Sequence, residues 1–174
     1  MRRAVLSAAV LMLVPMAACA PALDWREVRP QQAHVQALFP CRPSTQSRTV
    51  KLAAQSVTLH LHACSAGGQT WALAHADLGD PTLLTAALDE LVASAASNLG
   101  AKADAGQPLQ VPGATPHAGT RRVRIVGQLP DGQAVQEQVV VFTRGTVVYQ
   151  ATALGAVLPE DAAQTFLTSL RVLP

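Results

Sequence analysis

Residues 80–100, DPTLLTAALDELVASAASNLG, are the stretch that decides the fold. Asp80 is a favourable N-cap, and Pro81 suits the first helical position because its missing N–H would have no partner there anyway. Gly100 is a typical residue for ending a helix. Between these ends, apolar residues recur at the spacing of one helix face: Leu84, Leu88, Leu91 and Ala95. The stretch therefore predicts one long amphipathic helix over residues 81–99.

The segments on both sides of this helix are predicted to be strands. Along residues 56–63 apolar and polar side chains alternate, which places Val57, Leu59 and Leu61 on one face. A first strand or extended arm is predicted at residues 24–28. Further strands are predicted at residues 48–53, 70–78, 121–129, 133–143 and 146–154. They form two antiparallel meanders, one before and one after the long helix.

Two shorter segments are predicted to be helical. Residues 31–38 are predicted to form one turn of helix. Pro159 opens a last helix, in which Ala163, Phe166 and Leu167 face the core. The order of elements predicts the α+β class: an antiparallel sheet of two meanders flanked by a long central helix and a C-terminal helix.

The N-terminal residues have the layout of a bacterial secretory signal. Arg2 and Arg3 precede an apolar run over residues 4–18 that is shorter than a membrane-spanning helix. Cys19 closes this run and resembles the acylated cysteine of a lipobox. The sequence therefore predicts a lipoprotein signal peptide at residues 1–18, a tether or arm at 19–30 and one globular domain at 31–174. The alternative is an ordinary signal peptide cleaved after Ala18 or Ala20.

The lipobox resemblance implies a location in the cell envelope of a Gram-negative bacterium. A lipid on Cys19 would hold the domain at the periplasmic face of a membrane, since more than one acyl chain gives stable anchoring. The second mature residue would be Ala20 rather than aspartate, which favours the outer membrane over the inner membrane.

The charge balance argues against a nucleic-acid partner. Loss of Arg2 and Arg3 with the leader leaves equal numbers of basic and acidic side chains, so the mature domain is close to neutral. Nucleic-acid-binding domains instead carry a marked basic surface. Arg121, Arg122 and Arg124 are the one basic cluster, and we interpret them as the exposed edge of a strand.

Cys41 and Cys64 are the cysteines that remain once Cys19 is acylated. Two cysteines in an exported domain predict one disulfide bond. The alternative is a redox-active or metal-binding thiol, which the absence of a Cys-x-x-Cys motif disfavours.

Three histidines form the one cluster in the sequence with metal-binding chemistry. His60 and His62 lie on the same face of one predicted strand, and His75 lies on the next strand. Imidazoles gathered in this way are suitable ligands for zinc or copper. The alternative is a polar face of the sheet that carries histidines without a ligand, and no cofactor is expected in that case.

No catalytic motif is found elsewhere in the sequence. It contains no Gly-x-Ser-x-Gly elbow, phosphate-binding glycine loop or His-Glu-x-x-His pair. Asp89 and Glu90 are neighbours on the long helix, so their carboxylates do not converge, and we interpret them as a solvated face. Trp71 and Tyr149 are predicted to be core or rim aromatics. The protein is therefore not expected to be an enzyme.

Several short segments resemble the PsbP-like fold, which also occurs in DcrB-type bacterial lipoproteins. They are the Phe39-Pro40-x-x-Pro43 corner, the long helix at 81–99, the strands at 119–154 and the closing Phe166-Leu167-x-Ser169-Leu170. Cys41 departs from the pattern, in which a small residue such as glycine often stands. The resemblance implies a PsbP-like sandwich and a non-enzymatic, lipid-anchored periplasmic domain that binds an envelope protein or assists its assembly. A periplasmic copper- or zinc-binding protein is the alternative function.

Overall fold

The computed structural model describes residues 23–174, which form ten strands and two α-helices. The helices are α1 (Leu84–Asn98) and α2 (Glu160–Thr168). The strands are β1 (Arg26–Val28), β2 (Val35–Phe39), β3 (Ser44–Leu52), β4 (Gln55–Ala66), β5 (Gln69–Asp77), β6 (Gln107–Pro108), β7 (Arg121–Gln128), β8 (Ala134–Arg144), β9 (Val147–Gly155) and β10 (Arg171–Val172).

Seven strands form one antiparallel sheet in the order β3-β4-β5-β9-β8-β7-β6. The two predicted meanders, β3–β5 and β7–β9, are thus parts of the same sheet. They are joined where β5 pairs with β9, for example at Trp71 opposite Ala153. A second antiparallel sheet has the order β1-β2-β10. We call this three-stranded sheet the small sheet and the seven-stranded one the large sheet. The α+β prediction is confirmed.

Helix α1 covers one face of the large sheet. The carboxylate of Asp80 accepts a hydrogen bond from the backbone N–H of Thr82 (2.8 Å), which confirms the predicted N-cap, and a 3₁₀ turn at Pro81–Leu83 leads into the helix. Gly100 ends the helix with a φ of +58°, a conformation that glycine adopts without a steric penalty. The buried face of α1 packs mainly on β8 and β9, over an aliphatic layer that includes Val139, Val141 and Val148.

A close backbone contact positions the C-terminal end of α1 on β7. The N–H of Gln128 donates to the carbonyl oxygen of Leu99 over 2.9 Å. A Cβ atom on Gly127 would lie only 2.3 Å from the same oxygen, so this approach requires glycine.

The opposite face of the sheet is covered by the small sheet and α2. Phe39, Phe142 and Phe166 are buried there together with Trp71 and Tyr149. The hydroxyl of Tyr149 donates to the carbonyl oxygen of Ala33 over 2.8 Å, which ties the segment before β2 to the sheet. The prediction that Trp71 and Tyr149 are core aromatics is confirmed.

The helical turn predicted at residues 31–38 is wrong. Gln32 and His34 have positive φ values of 65° and 46°, which interrupt a right-handed helix. Strand β2 follows directly, and alternate side chains from Val35 to Phe39 are buried. Residues 35–39 alternate as a strand requires, but five residues are too few to identify a strand directly after the mostly polar residues 31–34.

The predicted signal peptide at 1–18 and Cys19 lie outside the described residues. The predicted arm at 19–30 reaches into the described part, where β1 pairs with β2 and Trp25 packs edge-to-face on Trp71 (ring centroids 5.7 Å apart). The C-terminal part of this arm thus belongs to the folded domain. No helix within residues 23–174 has the length and apolar character needed to cross a bilayer.

Candidate functional site

The three histidines lie side by side on the face of the large sheet that α2 and the small sheet cover. The β4–β5 register places His60 directly opposite His75, with ring centroids 4.9 Å apart. The rings of His62 and His75 are 5.6 Å apart. The prediction that the three imidazoles are neighbours is confirmed.

Two of these imidazoles are buried, and each has a nitrogen without a partner. His62 and His75 are each 4% exposed. Nδ1 of His62 lies 3.0 Å from Oγ1 of Thr45, at hydrogen-bond distance. Nε2 of His62 and Nδ1 of His75 are enclosed and have no hydrogen-bond partner among residues 23–174.

Burial keeps these two rings in the neutral form at pH 7. Burial, followed by the proximity of His60 and then of His62, lowers the pKa of His75 to about 4. Burial, followed by the proximity of His60, also lowers the pKa of His62. Neutral imidazole is the form that binds metal ions.

The cluster is accessible from two cavities but does not form a ready metal site. His60 lines both a cavity of about 670 Å³, which it shares with His62, and one of about 620 Å³, which it shares with His75. Within the described range, no group of three or more His, Cys, Asp or Glu side chains is arranged to hold a metal ion. Coordination by all three imidazoles would therefore require at least one ring to rotate.

Cys41 and Cys64 form the predicted disulfide bond, with their Cα atoms 6.0 Å apart. The bond links the corner between β2 and β3 to the second half of β4, on the sheet face that carries the histidines. It therefore holds the small sheet and the large sheet together beside the cluster.

Asp89 and Glu90 form separate contacts, so their carboxylates do not converge. The Asp89 carboxylate accepts a hydrogen bond from Arg121 over 2.8 Å. The Glu90 carboxylate accepts from the backbone N–H of Ala53 over 2.7 Å. The prediction of a solvated face is wrong for Glu90, which is half-buried because it caps the turn between β3 and β4.

The arginine cluster is only partly an exposed strand edge. Arg124 is exposed, but Arg121 and Arg122 are half-buried and hydrogen-bonded. The guanidinium of Arg122 donates to the side chains of Gln138, Gln164 and Glu160. Two of these three arginines therefore connect β7 to the helices, which corrects the prediction.

Strand β3 is an open edge of the large sheet. It is nine residues long, and Ser44–Thr49 are all exposed. Its inner side pairs with β4, whereas no strand within residues 23–174 pairs with its outer side. The opposite edge is formed by β6, which is two residues long and contains Pro108. Short edge strands, proline and charged side chains all disfavour further strand pairing; β3 is long and has no proline, and its charged residues are Arg48 and Lys51.

A groove runs between α1 and the sheet from β3 towards β8, and we call it the leucine groove. Its volume is about 530 Å³. Ala72 and Ala74 on β5 leave space on its floor because their side chains are small. Half-buried apolar side chains form much of its wall: Val50, Leu59, Leu61, Leu91 and Leu154.

The floor of the leucine groove also carries three polar side chains. Gln150 donates to the hydroxyl of Thr152 over 3.1 Å. Glu137 is 6% exposed, and no hydrogen bond from residues 23–174 contributes to the pKa of its carboxyl group. Burial raises the pKa of Glu137 to about 7.

Sequence reasoning did not single out Glu137, although the sequence contains a signal for it. Val135, Val139 and Val141 are the inward positions of β8, at a spacing of two residues. Glu137 falls in the same register and interrupts this apolar series with a carboxyl group. A charged residue at an inward position of a predicted strand marks a candidate site, because burying a carboxylate is costly unless something compensates for it.

Compared with known proteins, the chain matches no protein-family model, no curated protein and no solved structure. Its function is therefore inferred from its own residues: the histidine cluster, the open edge of β3 and the leucine groove.

Proposed function

We propose that this protein is a non-catalytic, lipid-anchored periplasmic domain that binds an envelope protein by adding one strand of the partner to the edge of β3. The observation that carries the proposal is the open outer side of this nine-residue strand. An exposed strand presents a row of backbone N–H and C=O groups to which an extended segment can add.

The charge on β3 indicates the chemistry of the partner segment. Arg48 and Lys51 are the charged residues of the strand, and both are exposed and basic. Opposite charges on paired strands stabilise the pairing. The partner segment is therefore an extended stretch that carries aspartate or glutamate opposite Arg48 and Lys51.

The N-terminal sequence and the order of elements support the location and role. We propose that Cys19 is acylated and tethers the domain to the periplasmic face of the outer membrane. We also propose that the fold is a PsbP-like sandwich, as the corner at Phe39 and the order of strands and helices suggest. The resemblance implies a binding or assembly factor, which agrees with strand addition at β3.

Site-specific photo-cross-linking in intact cells tests the proposal. A photoreactive amino acid at Thr49, on the exposed edge, should give one adduct with an envelope protein. The same amino acid at Thr165, on the exposed face of α2, is the matched control and should give none. Adducts at both positions, or at neither, would contradict strand addition.

Charge reversal tests the complementarity of the edge. Arg48→Glu combined with Lys51→Glu should abolish the Thr49 adduct, whereas Lys102→Glu in an exposed loop should preserve it. An equal loss in both variants would indicate a general charge effect rather than recognition by β3.

The lipid anchor has a separate test. Cys19→Ala should move the protein from the membrane fraction to the soluble periplasmic fraction, because the acylated thiol is lost. Continued membrane retention of the variant would contradict the anchor.

The unpartnered nitrogens of His62 and His75 favour a second candidate function, the binding of copper or zinc. The proposed site uses these imidazoles and that of His60 after rotation of at least one ring. Calorimetric titration with Cu(II) and Zn(II) should show saturable binding to the wild type and none to His60→Ala/His62→Ala. Equal, weak binding by both proteins would reject the site.

A further inference from the structure

We propose that the leucine groove is a second binding site, for an elongated apolar molecule whose protonated amine pairs with the carboxylate of Glu137. This site lies on the α1 face of the sheet and shares Arg48 and Lys51 with the edge of β3, but its test with small probes does not depend on strand addition.

The size and shape of the leucine groove fit a small molecule. Its volume of about 530 Å³ lies within the range of small-molecule sites in proteins. The side chains on the floor are smallest at Ala72 and Ala74, and α1 forms the wall above it. A straight chain fits a groove that runs across the strands in this way.

The walls indicate an apolar body for the ligand. Leu59 and Leu61 on β4, Leu91 on α1 and Leu154 on β9 are only half-buried, although each lines a concave surface. Covering these side chains removes apolar surface from water, which favours binding.

Glu137 indicates the polar group of the ligand. An ionised carboxylate accepts hydrogen bonds but cannot donate them, and the carboxyl group of Glu137 lines the groove with no hydrogen bond from residues 23–174 acting on it. Glu90 lines the same groove, but its carboxylate already accepts a hydrogen bond from Ala53. A charged amine would supply both the missing donor and the opposite charge.

The remaining charged residues of the groove do not cancel the preference of Glu137 for a cationic group. Arg48 and Lys51 lie on β3, four strand positions from β8 in the sheet order. Neighbouring strands are about 4.8 Å apart, which places these residues roughly 19 Å from the strand of Glu137. This separation exceeds the screening length of about 8 Å at physiological ionic strength.

Nuclear magnetic resonance with three probes of equal chain length tests the proposal. The probes are n-octylammonium, n-octanol and n-octanoate, added at pH 8 to the Cys19→Ser chain, which cannot be acylated. In the wild-type groove, n-octylammonium should bind most tightly and shift the amides of residues 59–61, 72–74, 137 and 150–152. Equal affinity for n-octanoate and n-octylammonium, or no saturable shift at these amides, would overturn the proposal.

Two variants separate the carboxylate from the apolar walls. Glu137→Gln should weaken n-octylammonium binding about tenfold and leave n-octanol binding unchanged, because only the charged hydrogen bond is lost. Ala74→Leu should abolish binding of both probes by filling the floor. Unchanged n-octylammonium binding by Glu137→Gln would overturn the assignment of Glu137. The wild-type comparison of the three probes decides the matter if either variant fails to fold.

Discussion

The carboxylate of Glu90 on α1 accepts a hydrogen bond from the backbone N–H of Ala53, 2.7 Å away, in the turn between β3 and β4. Ala53 and Ala54 have positive φ values of 50° and 63°, and Leu52 pairs with Gln55 across them. Positive φ at both central residues is the mark of a type I′ hairpin turn, which glycine and asparagine usually occupy. Glu90 thus holds an unfavourable turn in place and connects the open edge strand to α1.

Glu90→Ala should reduce the free energy of unfolding by about 1–2 kcal/mol, because the N–H of Ala53 loses its partner. Glu90→Gln should retain most of the stability, since its amide oxygen can accept the same bond. Asp89→Ala is the matched control on the same helix, and because the Asp89 carboxylate is exposed, its ion pair with Arg121 should contribute less than about 1 kcal/mol. Chemical denaturation measures the free energy of unfolding of all three variants. Equal losses of stability in Glu90→Ala and Asp89→Ala would contradict the role of Glu90 as a cap.

Ala53→Asn combined with Ala54→Gly should stabilise the protein by about 1 kcal/mol. These residues adopt positive φ at a lower steric cost than alanine, and they give the sequence that type I′ turns favour. Ala93→Gly, at an exposed position of α1, is the control and should destabilise by about 1 kcal/mol because glycine lowers helix propensity. A destabilised turn variant would mean that the alanine turn carries no strain.

The same turn shows where sequence reasoning fails. Two strands were expected around residues 48–63 from their alternation, and β3 and β4 are both present. Ala-Ala carries none of the usual signals for a hairpin turn, yet the strands predicted at 48–53 and 56–63 place the end of β3 within one residue of Leu52. The cap from Glu90 lies 37 residues away in sequence, and a contact of this kind depends on how α1 packs on the sheet.

Replacing both Cys41 and Cys64 with serine should lower the free energy of unfolding by about 3 kcal/mol. The bond closes a loop across 23 positions, and its loss releases that loop in the unfolded chain. A reducing agent added to the wild type should reproduce the loss, while the serine variant should not respond to it. Wild-type stability that does not change on reduction would show that the disulfide does not hold the two sheets together.

The histidine cluster and the leucine groove differ in how visible they are in the sequence. His60, His62 and His75 were expected to be neighbours, because alternation along one strand and an antiparallel neighbour suffice to bring them together. Their burial depends on β1 and on residues 29–34, whose placement over the histidines has no local signal. The leucine groove forms because Ala72 and Ala74 have small side chains and because α1 lies above them. No sequence motif marks either feature.

The free energy of unfolding should depend on pH through Glu137. Burial raises the pKa of this carboxyl group in the folded state to about 7, against 4.5 for a glutamate exposed to water. Between these values the folded state binds more protons than the unfolded state, so the contribution of Glu137 to stability is greatest below about pH 4.5. This contribution is lost as the pH rises through 7.

Glu137→Gln should therefore become more stable relative to the wild type as the pH is raised from 5 to 8. The pKa shift of Glu137 corresponds to a change on the order of 2 kcal/mol in the difference between the free energies of unfolding of the two proteins. Denaturation series at pH 5, 6, 7 and 8 measure this difference. Asp131→Asn, on an exposed turn, shows the effect of removing a surface carboxyl group. A constant difference between Glu137→Gln and the wild type across this range would mean that the carboxyl group of Glu137 is ionised in the folded protein at pH 5, and that burial does not perturb it.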